Sequence, residues 1–95
     1  MRSRWSIIVP VGPGDGAWRA LLGDLAEAGD ACEVVLVFAQ GDFPTPPPVA
    51  PSIRCIEAPA GRAHQLNAGI AAASQRHVCL LHADSRLAPR ALTAL

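Results

Sequence analysis

Four short, nearly unbroken apolar runs alternate with helix-like stretches, and no other feature of the chain constrains its fold as tightly. The runs are Trp5 to Val11 (WSIIVPV), Glu33 to Phe38 (EVVLVF), the weaker Ile53 to Ile56, and Val78 to Leu81 (VCLL). A strand with one wet face alternates apolar and polar residues. These runs are β-branched or Leu-rich throughout, which is how strands covered on both faces of a parallel sheet read.

The intervals supply the covering helices. Ala17 to Ala28 places Leu21, Leu22, Leu25 and Ala28 on one side, the spacing of an amphipathic helix. Asp15 is a candidate N-cap and Gly29 a candidate stop. Arg62 to Ser74 reads as a second helix with Leu66, Ile70 and Ala73 turned inward. Pro89 suits the first turn of a third helix starting near Ala88. Residues 42–51 hold five prolines and predict an irregular, stiffened connection. The expected fold is α/β, a three-layer sandwich around a mainly parallel four-stranded sheet, with residues 1–95 forming one Rossmann-like domain.

Composition removes several function classes. Eight Arg and no Lys balance eight acidic residues, and the charges are scattered, which argues against nucleic acid or an anionic membrane as partner. No apolar run approaches the ~18 residues of a membrane span. The three cysteines, Cys32, Cys55 and Cys79, form neither a metal-ligand ladder nor an even disulfide framework. A reducing, cytoplasmic setting is the expectation.

Ligands of open parallel sheets bind beyond the carboxyl ends of the strands, so the four strand exits are where function should lie. At the fourth, His82-Ala83-Asp84, residues two apart on an extended chain project together, and a carboxylate there can hold Mg²⁺ or Mn²⁺ with phosphate oxygens and water. A plain helix cap at Asp84 is the competing reading. At the third, Gly61-Arg62 precedes a helix whose first amides could face an anion, with the Arg62 fork beside them. Gln65 and Asn67 are polar where a helix of this kind needs apolar residues, although a simple exposed helix face also accounts for them. The first exit, Gly12-Pro13-Gly14-Asp15-Gly16, lacks the spacing of a dinucleotide or P-loop motif and reads as a flexible turn. His64 and His77 stand alone and read as surface residues.

Taken together, SIIVPV at Ser6–Val11, EVVLV at Glu33–Val37, GRAHQLNAGIAAAS at Gly61–Ser74 and CLLHADSRL at Cys79–Leu87 with Pro89 resemble family 2 glycosyltransferases of the GT-A fold. The last two segments closely resemble a bacterial subgroup with GRAxQLNxG and HADxxLxP motifs. That resemblance implies transfer of a sugar from a nucleotide donor, a UDP-sugar first, with a divalent cation. It gives Asp84 the metal- and diphosphate-binding role, with His82 at the first position of the DXD-like motif. Arg62 would touch the nucleotide, Asn67 would help fix the loop and helix, and Pro10 and Val11 would border base and ribose. The family's catalytic base and acceptor half are expected beyond Leu95.

The chain departs from the family pattern in two places. Where members follow the second strand with DDGS or DGGS, it has Phe38-Ala39-Gln40-Gly41-Asp42, so Asp42 is the available base-reading acid a few positions late. The first loop has only Asp15 near the place of the usual Asn-Glu pair. A second reading from another class is a degenerate, non-catalytic nucleotide-binding or self-association module, pairing with a second copy through a bare sheet edge. A sugar nucleotidyltransferase would want a basic Gly-rich first loop.

Overall fold

The computed structural model describes residues 5–27, 32–44 and 53–84. Four strands, β1 (Trp5–Val11), β2 (Cys32–Ala39), β3 (Ile53–Ala58) and β4 (His77–Leu80), form one sheet in the order β3-β2-β1-β4. Every pairing is parallel, as the unbroken apolar runs predict. Helix α1 (Trp18–Glu27) links β1 to β2, and α2 (Arg62–Ala72) carries the chain from β3 back to the opposite edge. Those two steps run in opposite directions, so right-handed crossovers put the helices on opposite faces. The result is a three-layer, Rossmann-like α/β sheet with its switch of direction between β1 and β4.

Each face has its own core. Ile7, Val9 and Val11 alternate with Ile8 along β1, and the first set packs with Val34, Leu36 and Phe38 under Trp18, Leu21 and Leu25 of α1. Ile8, Val35, Val37 and Ala58 form the smaller core beneath α2. Ile7, Ile8, Val9, Val35, Leu36 and Val37 are completely buried, which accounts for the missing alternation in the two central strands. The edge strand β3 mixes exposed Arg54 and Glu57 into its sequence, hence its weaker signal.

The face that α2 turns inward corrects the sequence expectation. Leu66 and Ala73 pack at the margin of the core, but Ile70 is 48% exposed. Gln65 and Gly69 are the buried residues of the helix. A Cβ at Gly69 would overlap Cγ2 of Ile8 and lie 3.1 Å from Cγ2 of Val37. The helix therefore lies too close to the sheet at this point for any side chain. Ile70, one residue on, rotates out. Asp15 also differs in detail: it accepts from the Ala17 amide at 2.8 Å, closing an Asx turn one residue ahead of the helix start. Ala28, Gly29, residues 45–52 and the helix expected near Ala88 lie outside the described residues.

At the amino ends of the strands, Glu33 gathers a polar network. It accepts from Ser6 Oγ (2.7 Å), the Ser74 amide (3.0 Å) and Ser74 Oγ (2.8 Å), with Arg54 3.6 Å away. Arg54 also donates to the Ala72 carbonyl at the end of α2. Burial pushes the Glu33 carboxyl up, but the hydrogen bonds from Ser6 and Ser74 and the Arg54 charge outweigh it and hold the group below its ordinary value. A depressed folded-state value adds stability above the unfolded value of about 4.3, and loses it as pH falls through the folded one. Acid unfolding followed by circular dichroism should show that loss. Glu33→Gln should remove this pH-dependent part and cost about 1–3 kcal/mol at neutral pH, because its amide cannot accept all three donors.

Candidate functional site

The geometry of the carboxyl edge begins with Pro10. A proline inside a central strand withholds a ladder hydrogen bond. Here β4 pairs with β1 only as far as Ile8–Leu80, closed by the Leu81 amide donating to Ile8 O at 3.0 Å. Pro10 lies past that point. The two strands part at the switch of direction, where an open parallel sheet forms its ligand crevice.

On the α1 side of this edge is a cavity of about 250 Å³, lined in part by Val11, Gly14, Asp15, Trp18, Phe38 and Asp42. The first loop is more than a flexible turn. Gly14 takes φ 72°, the left-handed region that favours glycine, and its amide donates to Asp42 Oδ2 at 3.1 Å. Asp42 is presented by a tight turn after β2, in which Gly41 has φ 93° and the Asp42 amide donates to Ala39 O. The exits of β1 and β2 are thus tied together by one carboxylate. Edge-to-face contacts of Phe38 with Trp18 (5.3 Å) and Phe43 (5.7 Å) stiffen the floor, and the Arg19 guanidinium sits 4.4 Å over the Trp18 ring.

On the α2 side, Gly61 has φ 133° and lets the chain turn from β3 into the helix. Arg62, the first residue of α2, reaches His82 beyond β4, with Nη2 3.3 Å from Nδ1 and 3.2 Å from Nε2. β4 ends at Leu80, so residues 82–84 are not extended as the two-residue spacing assumed; Ala83 and Asp84 lie in a turn. Ala83 is nevertheless buried while His82 and Asp84 on either side are exposed. Both polar side chains face solvent at the crevice.

Of the sequence candidates, Val11 and Asp42 line the cavity, Arg62 and His82 touch one another, Pro10 is half-buried in β1, and Asp84 stands exposed at the β4 exit. Asn67 is exposed on α2; the side chain that ties the Gly61 loop to its helix is Gln65. Its Oε1 accepts from the Gly61 amide (3.3 Å), and its Nε2 donates to Val11 O and Val37 O (2.8 Å each). A polar residue at an inward helical position was the one signal of this in the sequence.

Chemistry at the site has two characters. The cavity offers the carboxylates of Asp15 and Asp42, which suit N–H and O–H donors, beside the Arg19 guanidinium. The α2 side offers the Arg62 guanidinium, which suits phosphate oxygens. No group of three or more His, Cys, Asp or Glu side chains among the described residues could cage a metal ion. Asp84 stands exposed and outside any such group. Burial pushes the thiols of Cys32 and Cys55 up, with Cys79 adding to the shift at Cys32, so neither is a thiolate nucleophile at neutral pH.

The fold is that of a small Rossmann-like α/β unit, and no helix among the described residues is long and apolar enough to cross a membrane. Compared with known protein families, characterised proteins and solved structures, the chain matches none.

Proposed function

We propose that this chain is the donor-binding part of a glycosyltransferase of the GT-A kind, taking a nucleoside diphosphate sugar, UDP-linked first, at the carboxyl edge of its sheet. The observation that carries this reading is the gathering of carboxylates and guanidinium groups at the strand exits. A cavity lined by Asp15, Asp42 and Arg19 lies at the exits of β1 and β2, and Arg62, His82 and an exposed Asp84 lie at the α2 and β4 side of the same sheet edge.

The nucleoside end belongs in the cavity. Asp42 keeps one carboxylate oxygen for a base or ribose donor while its other holds Gly14. The diphosphate belongs beside Arg62, whose remaining N–H groups can donate to phosphate oxygens. A divalent cation, when bound through Asp84 and the phosphates, supplies charge neutralisation for the departing diphosphate. Residues 1–95 hold the donor and leave acceptor chemistry unassigned. The hexosyltransferase reading therefore concerns the donor half-reaction.

Calorimetric titration with UDP in Mn²⁺ and again in EDTA tests the proposal. Saturable, Mn²⁺-dependent binding is expected. Absence of heat at millimolar UDP, with concentration-dependent association of the chain in sedimentation, would instead favour the non-catalytic, self-associating reading, for which the edge of β4, unpaired among the described residues and carrying exposed Val78 and Leu80, is the natural surface.

A further inference from the structure

Gln65 sits 3% exposed in the interface between α2 and the sheet. A carboxamide buried there costs free energy unless every donor and acceptor is used. All are used, and each partner lies at or near the carboxyl end of a strand. Two carbonyls, Val11 O and Val37 O, demand N–H donors, and the Gly61 amide demands an acceptor. This also fixes which end of the carboxamide is nitrogen.

The three partners belong to three separate segments. Val11 is the last residue of β1, immediately ahead of the Gly12–Gly16 loop. Val37 lies in β2 two residues before its end, at the seam where Val11 is in register with Phe38. Gly61 is the hinge from which Arg62 departs. One side chain therefore sets the spacing between the cavity side and the Arg62 side of the crevice. Gly69, one helical turn below, is what lets α2 approach closely enough for Gln65 to reach the seam.

We propose that Gln65 is a positioning residue of the crevice. It touches no ligand. It holds the exits of β1 and β2 against the first turn of α2, so that Asp42 and Arg62 face one bound molecule together. The proposal deepens the donor-site reading and rests on it only for the ligand assay.

The test uses Gln65→Met, which keeps the length of the side chain and removes all three bonds, and Gln65→Glu, which keeps an acceptor for Gly61 but cannot serve two carbonyls as a carboxylate. Amide exchange is read by NMR at Gly61, at Gly14 (bonded to Asp42 across the two exits), and at the core amides of Ile8 and Val35. In Gln65→Met, exchange at Gly61 and Gly14 should accelerate at least about tenfold more than at the core. In Gln65→Glu, Gly61 should stay protected while Gly14 loosens. Uniform acceleration, or none at Gly61 and Gly14, would overturn the proposal, and the glutamate variant decides it should the methionine variant not fold. UDP–Mn²⁺ affinity, measured where each variant is fully folded, should fall at least tenfold, which loss of stability alone would not produce. Wild-type protein that binds no UDP would sink the donor reading, while the exchange pattern still judges Gln65.

Discussion

Gly69→Ala is expected to lower the melting temperature by roughly 10–20 °C, corresponding to about 2–3 kcal/mol in a chain of this size. The sign is opposite to helix propensity, which favours Ala over Gly by about 1 kcal/mol in a helix interior. Propensity loses because the new Cβ would overlap Cγ2 of Ile8 and press on Cγ2 of Val37 at 3.1 Å. Both neighbours are completely buried and β-branched, so neither can rotate away cheaply. The helix must lift instead, and lifting it strains the bonds of Gln65. Gly23 provides the contrast. It is an exposed glycine in α1 with nothing within 4 Å of an added Cβ, and Gly23→Ala should stabilise by about 0.5–1 kcal/mol. A double-mutant cycle with Ile8→Ala, which deletes the opposing methyl, should recover part of the Gly69→Ala cost. Equal stability of the two alanine variants would show that α2 does not approach the sheet this closely.

Asp84→Asn is expected to remove the Mn²⁺-dependent part of UDP binding altogether and leave the melting temperature within about 2 °C of wild type. The carboxylate is exposed in a turn, and surface substitutions of this kind rarely move stability by more than about 0.5 kcal/mol. An amide keeps the shape and discards the charge, and a hard divalent ion favours the charged oxygen. Calorimetry in Mn²⁺ and in EDTA reads the difference directly. The two curves should coincide for Asp84→Asn and separate for wild type.

The parallel sheet was legible because burial on both faces leaves its mark along each strand separately: Ile7-Ile8-Val9 and Val34 to Phe38 need no long-range information to read as strands. Helix α1 was legible for the same reason, through Leu21 and Leu25. Helix α2 was located correctly, and Leu66 and Ala73 pack on the core as expected, but Ile70 faces out while Gln65 and Gly69 face in. An amphipathic reading sends the largest apolar residues inward, whereas this interface selects the smallest residue, Gly69, and a donor for two carbonyls, Gln65. The polar and small residues four apart, at 65 and 69, carried that message, but only the closeness of the sheet gives it meaning.

The first loop hid its role for a different reason. Gly12 to Gly16 matches no phosphate-binding spacing, and its ordering partner, Asp42, lies 28 residues beyond Gly14. The pairing of Arg62 with His82 spans 20 residues and joins the start of a helix to the end of a strand. Such contacts follow from topology. Spacing along the chain does not show them. An extended-chain argument had His82 and Asp84 projecting together toward the ligand crevice; the structure puts Ala83 and Asp84 in a turn, with Ala83 buried and His82 and Asp84 exposed on either side of it.

Paramagnetic broadening by Mn²⁺ in the presence of UDP tests the location of the donor site most directly. Amide signals of Arg62, His82, Ala83 and Asp84 should disappear first, with lesser broadening in the Gly12–Gly16 loop, while Ser6, Glu33, Ser74 and His77 at the opposite end of the strands stay sharp. Broadening confined to that opposite end would contradict a donor site at the carboxyl edge of the sheet, and the same pattern persisting in Asp84→Asn would contradict Asp84 as the metal-holding carboxylate.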